Sequence, residues 1–229
     1  MTMRVVEFFH SLQGEGMLVG VPSVFVRVAG CPLRCRWCDT AYAWDYSAGK
    51  ELALAQIVEE VSRWSCGHVV LTGGEPLVGE DLAVRPALAG LTRRLKAAGK
   101  HVTIETAGTL FVPDLACDLM SISPKLSNSA LPENPQAGRP DPATLSRLIA
   151  AYPHQLKFVI ESPGDIEEVC SLLDELPPVD PACVLLMPQA RTRDQLLERS
   201  PMVVELCRKT GYRFCDRLHI WLWSDERGR

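Results

Sequence analysis

Short β-branched runs alternate with amphipathic stretches along most of this chain, and that alternation restricts its fold more than any other feature. Runs at Ser23–Val28, His68–Leu71, His101–Glu105, Leu119–Ser123, Gln155–Ile160 and Cys183–Met187 read as strands. Stretches at Glu51–Trp64, Pro86–Ala98, Pro142–Ala151, Asp165–Leu176 and Arg193–Thr210 read as helices between them. The link after the third strand is short, with room at Val112–Ala116 for a single turn. Repeated strand–helix units predict a parallel sheet with helices packed outside it. Six units are too few for a closed eight-fold barrel, so the expectation is an α/β fold, an open partial (β/α)6 barrel. Ser127–Asp141 reads as a surface loop, and the apolar segment Tyr212–Trp223 as a final strand. No linker divides residues 1–229, which predicts one domain carrying a C-terminal extension over about 212–229.

Composition narrows the setting. The chain has 229 residues, which suits one core. With net charge −4 and Lys and Arg scattered, it lacks the basic patch of a nucleic-acid binder. The N-terminus has no signal-peptide pattern, and no apolar run reaches membrane-spanning length. Cytoplasmic residence is the expectation.

Polar clusters fall at the C-terminal ends of all six expected strands. They are Arg27–Cys38, Thr72-Gly73-Gly74-Glu75-Pro76, Glu105-Thr106-Ala107-Gly108, Ser123-Pro124-Lys125, Glu161 and Pro188-Gln189-Ala190. Parallel α/β folds gather their ligands at that end, so folding is expected to bring these clusters onto one rim with the active site.

Nine cysteines are many for this size. Cys66, Cys117, Cys170, Cys183, Cys207 and Cys215 are spread widely and read as small buried hydrophobes. Cys31, Cys35 and Cys38 sit within eight residues as C-x3-C-x2-C. Three thiolates on one loop can hold a four-iron cluster and leave one iron open for another ligand. A zinc site competes but lacks a fourth ligand nearby in sequence, with His10 and His68 reachable only through folding. A ferredoxin-like electron carrier competes too; it needs a fourth cysteine and no polar rim.

C-x3-C-x2-C with Trp37 before the last cysteine resembles the signature of the radical S-adenosylmethionine superfamily, and Gly73-Gly74-Glu75-Pro76 resembles its second motif. Ser11-Leu12-Gln13-Gly14-Glu15-Gly16, Arg27, Cys38-Asp39-Thr40 and Ser123-Pro124-Lys125 narrow the resemblance to the 7-carboxy-7-deazaguanine synthase family. It runs from about residue 7 to 125 and resumes near Met187–Ala190 and at the C-terminal end.

The resemblance implies a 4Fe-4S cluster on Cys31, Cys35 and Cys38 whose open iron chelates S-adenosyl-L-methionine. One electron then cleaves the sulfonium, and the adenosyl radical abstracts hydrogen from substrate. It implies magnesium-dependent conversion of 6-carboxy-5,6,7,8-tetrahydropterin to 7-carboxy-7-deazaguanine with loss of ammonia, in queuosine or 7-deazapurine biosynthesis. By motif position, Leu12, Gln13 and Gly14 contact the pterin, Arg27 its carboxylate, and Thr72 the substrate. Thr40 supplies a magnesium oxygen. Trp37, Cys38, Asp39, Gly73, Gly74, Glu75, Ser123, Pro124, Lys125, Met187, Pro188, Gln189 and Ala190 line the cofactor, with Glu105 at its ribose. His219 resembles a family histidine near the substrate carboxylate. In shorter relatives the terminal carboxylate helps hold substrate, a contact that does not transfer here because Trp221-Leu222-Trp223 and the charged tail run further. A homodimer covering the open sheet edge, with Trp221 and Trp223 as candidates, and an electron donor such as a flavodoxin are the implied partners.

Each residue also has a plainer reading. Arg27 fits a strand-end salt bridge, Thr40 a turn, Lys125 a solvated cation, and Gln13-Gly14-Glu15-Gly16 a flexible loop. Glu105 fits an ion pair and His219 a structural imidazole. A radical-generating activase acting on another protein shares the cysteine motif without needing Arg27 or the Gln13 loop.

Overall fold

The computed structural model describes residues 1–80, 83–131, 133, 138–224 and 226–228. Six parallel strands carry the fold: β2 (Pro22–Val28), β4 (His68–Gly73), β5 (His101–Thr106), β6 (Leu119–Ile122), β7 (His154–Ile160) and β8 (Val184–Pro188). Five helices lie outside them: α1 (Leu54–Ser62), α2 (Ala87–Ala97), α3 (Pro142–Ala151), α4 (Asp165–Asp174) and α5 (Arg193–Thr210). The sheet runs β3-β1-β2-β4-β5-β6-β7-β8-β9 and does not close, as expected for an open partial barrel.

Two strands extend the sheet where the sequence reading has none. β1 (Thr2–Leu12) and β3 (Lys50–Ala53) pair antiparallel at the β2 edge. The stretch read as one helix from Glu51 therefore splits. Its first residues complete the sheet against β1, and the helix starts at Leu54, where Gln56 Oε1 accepts the Ala53 backbone N–H at 2.8 Å.

The expected final strand over Tyr212–Trp223 is also corrected. Only Arg213–Phe214 (β9) pairs with β8, while Leu218–Trp223 forms helix α6. A short apolar run fits either element, and burial of Ile220 against Ala190 and Leu196 selects the helix. Trp221 packs on that same cluster and donates to Asp216 at 2.7 and 2.8 Å. Val112–Ala116 forms no helical turn. Of the loop at 127–141, a short 3-10 turn at Ser127–Ser129 opens it, and Asp141 caps α3 by accepting the Ala143 and Thr144 N–H groups. Residues 132 and 134–137 of that loop lie outside the described residues.

Alternation along the parallel strands separates core from cleft. Val24, Val26 and Val28 of β2, Val69 and Leu71 of β4, Val102 and Ile104 of β5, and Leu156, Phe158 and Ile160 of β7 enter the helix-facing core. The intervening residues include Ser23, Thr103, Ser121, Gln155 and Lys157, buried polar groups on the concave side. A parallel sheet covered by helices on both faces is apolar on both. This one is apolar throughout on the helix side and mixed on the concave side, where Phe25, Val159 and Met187 share the cleft wall with these polar groups.

Candidate active site

The cysteine loop leaves the C-terminal end of β2 and is tied down along its length. Gly30 and Cys31 donate backbone N–H bonds to Ala43 and Trp44 carbonyls at 2.8 and 3.1 Å. Arg36 N donates to the Ser129 carbonyl at 3.0 Å, and Trp37 Nε1 to the Asn128 carbonyl at 3.2 Å. Cys31, Cys35 and Cys38 consequently open onto one cleft of about 290 Å³.

The Gly73-Gly74 segment lies directly against this loop. Gly73 has φ +142, a conformation that side-chain-bearing residues avoid, and a Cβ there would overlap the Val28 backbone. A Cβ on Gly74 would overlap the Gly30 carbonyl. Gly74 N donates to Val28 O at 3.0 Å and Glu75 N to Gly30 O at 2.8 Å. The glycine pair thus seats one cofactor motif on the other. Glu75 is buried and accepts from Thr106 Oγ1 at 2.7 Å, Ala107 N at 2.8 Å and Leu77 N at 3.1 Å. Burial outweighs these donors and pushes its carboxyl above the usual range. Its oxygens fasten the motif to the end of β5.

The donor set fits an iron–sulfur cluster better than one ion. Among the described residues, no three His, Cys, Asp or Glu side chains converge as a single metal would require. Three thiols spaced around one mouth suit a cube whose irons each take one thiolate. Burial pushes the Cys31 thiol up to about 12 and raises Cys35 as well, so both are neutral thiols that would release protons on binding metal.

Most other expected residues line the same cleft. They include Leu12, Gln13, Gly14, Arg27, Trp37, Asp39, Thr40, Thr72, Gly73, Gly74, Glu75, Glu105, Ser123, Lys125, Met187, Gln189 and His219. Pro124, Pro188 and Ala190 do not line it; Ala190 is buried with Leu196 and Ile220. Lys125 Nζ sits 5.4 Å from the Trp37 ring centroid and 3.0 Å from Ser123 Oγ, so it is not simply a solvated lysine. Thr40 Oγ1 stands 3.6 Å from Cys38 Sγ.

The Gln13 loop is fixed, not flexible. Gln13 N donates to Val21 O at 2.8 Å, Met17 N to Gln155 Oε1 at 2.8 Å, and Leu218 N to Gly14 O at 2.9 Å. Gln13 Nε2 reaches Glu105 Oε1 at 3.2 Å, and Lys157 Nζ lies 3.6 Å from that oxygen. Glu105 therefore forms the ion pair that was its plainer reading, on the side of the cleft with the Gln13 loop. Arg27 forms its salt bridge too, donating from Nε to Glu7 Oε1 at 2.7 Å, and it still lines the cleft.

An ionic chain, largely buried at Lys157, Glu15 and Arg217 and open to solvent at Asp39, joins the two ends of the cleft. Glu15 meets Lys157 Nζ at 2.8 Å and Arg217 Nε at 2.9 Å, and Arg217 Nη2 meets Asp39 Oδ2 at 2.9 Å. Burial alone would raise the Glu15 carboxyl, but Lys157 and then Arg217 hold it far below the usual carboxylate range. Lys157 is raised in turn by Glu15 and Glu105 despite its own burial. Burial lowers His219, whose Nε2 is 4.0 Å from Glu15 Oε1 and whose ring abuts Gly14.

Sequence reasoning missed Lys157 and Arg217 as site residues and had Glu15 only as part of the Gln13 loop. Lys157 carried a usable signal, a charge at an inward position of the otherwise apolar strand Leu156–Ile160. Arg217 carried none, because its position depends on where α6 docks.

Comparison with known proteins agrees with this geometry. The radical SAM superfamily model matches residues 25–127. A 7-carboxy-7-deazaguanine synthase of Halobacterium salinarum is 41% identical, the match covering 96% of this chain and 90% of that protein. One of Pyrobaculum aerophilum is 38% identical over 99% and 97%. The crystal structure of QueE from Escherichia coli superposes with a TM-score of 0.74 at 27% identity, covering 96% and 95% of the two chains. Similarity of that degree over nearly the whole length of its relatives, with both cofactor motifs packed against each other, means that the chain belongs to the 7-carboxy-7-deazaguanine synthase family of radical S-adenosylmethionine enzymes.

Proposed function

We propose that this enzyme converts 6-carboxy-5,6,7,8-tetrahydropterin to 7-carboxy-7-deazaguanine with release of ammonia, for queuosine or another 7-deazapurine. The observation that carries the reading is the meeting of the cysteine trio, the Gly73-Gly74 motif, the Gln13 loop and Arg27 around one cleft. A protein-activating radical enzyme or an electron carrier has no use for the last two.

The bound cluster and S-adenosylmethionine supply the radical that takes hydrogen from substrate. The chain's own residues divide the remaining work. Cys31, Cys35 and Cys38 hold the cluster. Trp37, Asp39, Gly73, Gly74, Ser123, Lys125, Met187 and Gln189 border the cofactor, Lys125 offering its ammonium to a carboxylate. Pro124, Pro188 and Ala190 act through the backbone around them, and Glu75 keeps its motif in place. Leu12, Gln13, Gly14, Thr72 and His219 surround the pterin. Arg27 spends one N–H on Glu7 and has terminal guanidinium donors for the substrate carboxylate. Thr40, which lines the cleft beside Cys38, would offer one oxygen to magnesium.

The chain works as one catalytic unit in the cytoplasm, as a homodimer, with a flavodoxin-like protein as electron donor. Among the described residues no helix is long and apolar enough to cross a membrane. The deciding experiment is anaerobic incubation of reduced, cluster-reconstituted protein with the tetrahydropterin, S-adenosylmethionine and magnesium. The expected products are 7-carboxy-7-deazaguanine and ammonia; their absence, with the cluster intact, rejects the reading.

A further inference from the structure

After α6, Ser224 and residues 226–228 face the cleft. Ser224 takes φ +58, rare for a residue with a side chain, while its N–H closes the helix on the Ile220 carbonyl at 2.9 Å. Ser224, Glu226, Arg227 and Gly228 then line the same cleft as Arg27 and Leu12. An unfavourable backbone state that aims a segment at a binding site is a marker of function.

Arg227 is what fastens this segment. Its Nε donates to Glu7 Oε2 at 2.7 Å, and its guanidinium carbon lies 4.1 Å from the Tyr42 ring centroid. Arg27 donates to the other Glu7 oxygen at 2.7 Å and lies 5.8 Å from the Tyr42 centroid and 5.6 Å from that of Phe9. Tyr42 Oη donates to Glu7 Oε1 at 2.8 Å, and Phe9 stacks on Phe25 at 4.7 Å. Two guanidiniums therefore flank one carboxylate at the wall of the cleft, with Tyr42 between them. Arg227 is 55% exposed against 13% for Arg27, so Arg27 is the fixed member and Arg227 the accessible one.

We propose that Arg227 is a second anion-recognition residue, acting with Arg27 to select a carboxylate-bearing ligand over the same ring system without one. This rests on the pterin reading above. Guanidinium suits the task, since Nε can stay on Glu7 while the terminal nitrogens turn to a ligand carboxylate and the plane stays stacked on Tyr42. The segment that carries Arg227 also covers that side of the cleft.

The test compares two ligands on intact, cluster-loaded protein: KM and kcat for 6-carboxy-5,6,7,8-tetrahydropterin, and Ki for tetrahydropterin lacking the carboxylate. For Arg227→Gln the expected result is a KM raised about two- to fivefold, the scale of one partly exposed charge contact, with kcat within about 1.5-fold. The Ki of the uncharged pterin stays unchanged, and Arg227→Lys falls between. Arg27→Gln serves as the reference for lost carboxylate recognition. If Arg227→Gln weakens both ligands equally, the segment merely covers the cleft and the proposal is overturned; an unchanged KM overturns it as well. Failure of the unsubstituted enzyme to turn over the carboxylated pterin counts against the proposed function itself, which separates the two failures.

Discussion

Replacing Lys157 by Met should destabilise the protein more than any exposed charge change, and the loss should shrink in acid. The Lys157 ammonium is 4% exposed, 2.8 Å from Glu15 and 3.6 Å from Glu105. Deleting one partner of a buried pair costs about 3–5 kcal/mol, because the other charge stays buried. Here Arg217 keeps the second Glu15 oxygen at 2.9 Å, which places the loss near the lower limit, about 3 kcal/mol. At about 2–4 °C per kcal/mol for a chain of this length, the melting temperature should fall by roughly 6–12 °C at pH 7. The pH dependence follows from Glu15, whose folded pKa is depressed. Its contribution is fully present above its unfolded pKa of about 4.3 and is lost as pH falls towards the folded value. Without Lys157 the depression is smaller, so acid removes less from the variant than from the parent. Lys157, raised in the folded state, stays charged throughout this range and does not alter the sign. Anaerobic thermal denaturation followed by circular dichroism from pH 7 to pH 3.5 measures both effects. A fall under about 2 °C at pH 7, or a difference between the proteins that does not narrow in acid, would refute the idea that this ionic chain holds the Gln13 loop.

Two further substitutions probe the cofactor side. Gly73→Ala places a Cβ into the Val28 backbone at φ +142, and should cost about 2–4 kcal/mol while prising the motif from the cysteine loop. Denaturation reports the loss, and the reduced cluster's EPR response to S-adenosylmethionine should weaken in parallel. Thr40→Ala should leave the cluster's absorbance intact but raise the magnesium requirement about tenfold or more, read from turnover against magnesium concentration. An unchanged requirement removes Thr40 from the metal site.

The local pattern of the chain determined a good deal. Alternating strand and helix signals specified the parallel α/β frame, and the frame's polarity put every strand-end cluster on one rim. Cys31, Cys35 and Cys38 were legible because three ligands on one loop need no folding to be near each other. Gly73 and Gly74 were legible as a motif, but what they touch, the Val28 and Gly30 backbone, belongs to the packed structure. The N-terminal strand escaped because its residues pair antiparallel with β2 and β3, and such pairing is a non-local property. The segment 218–223 was misread because so short a run, five apolar residues around His219, satisfies either period until a neighbour decides which face is buried.

Only the tertiary structure could bring Glu15, Lys157, Arg217 and Asp39 into one ionic chain. Their partners lie between 142 and 202 residues away in sequence. The same is true of Arg227 beside Glu7, 220 residues apart. Charge interactions act through space and fall steeply with distance, so a sequence records which charges exist and folding alone decides which of them meet. The chemistry was thus written locally in the cysteine loop, whereas the electrostatics that shape its substrate were assembled by the fold.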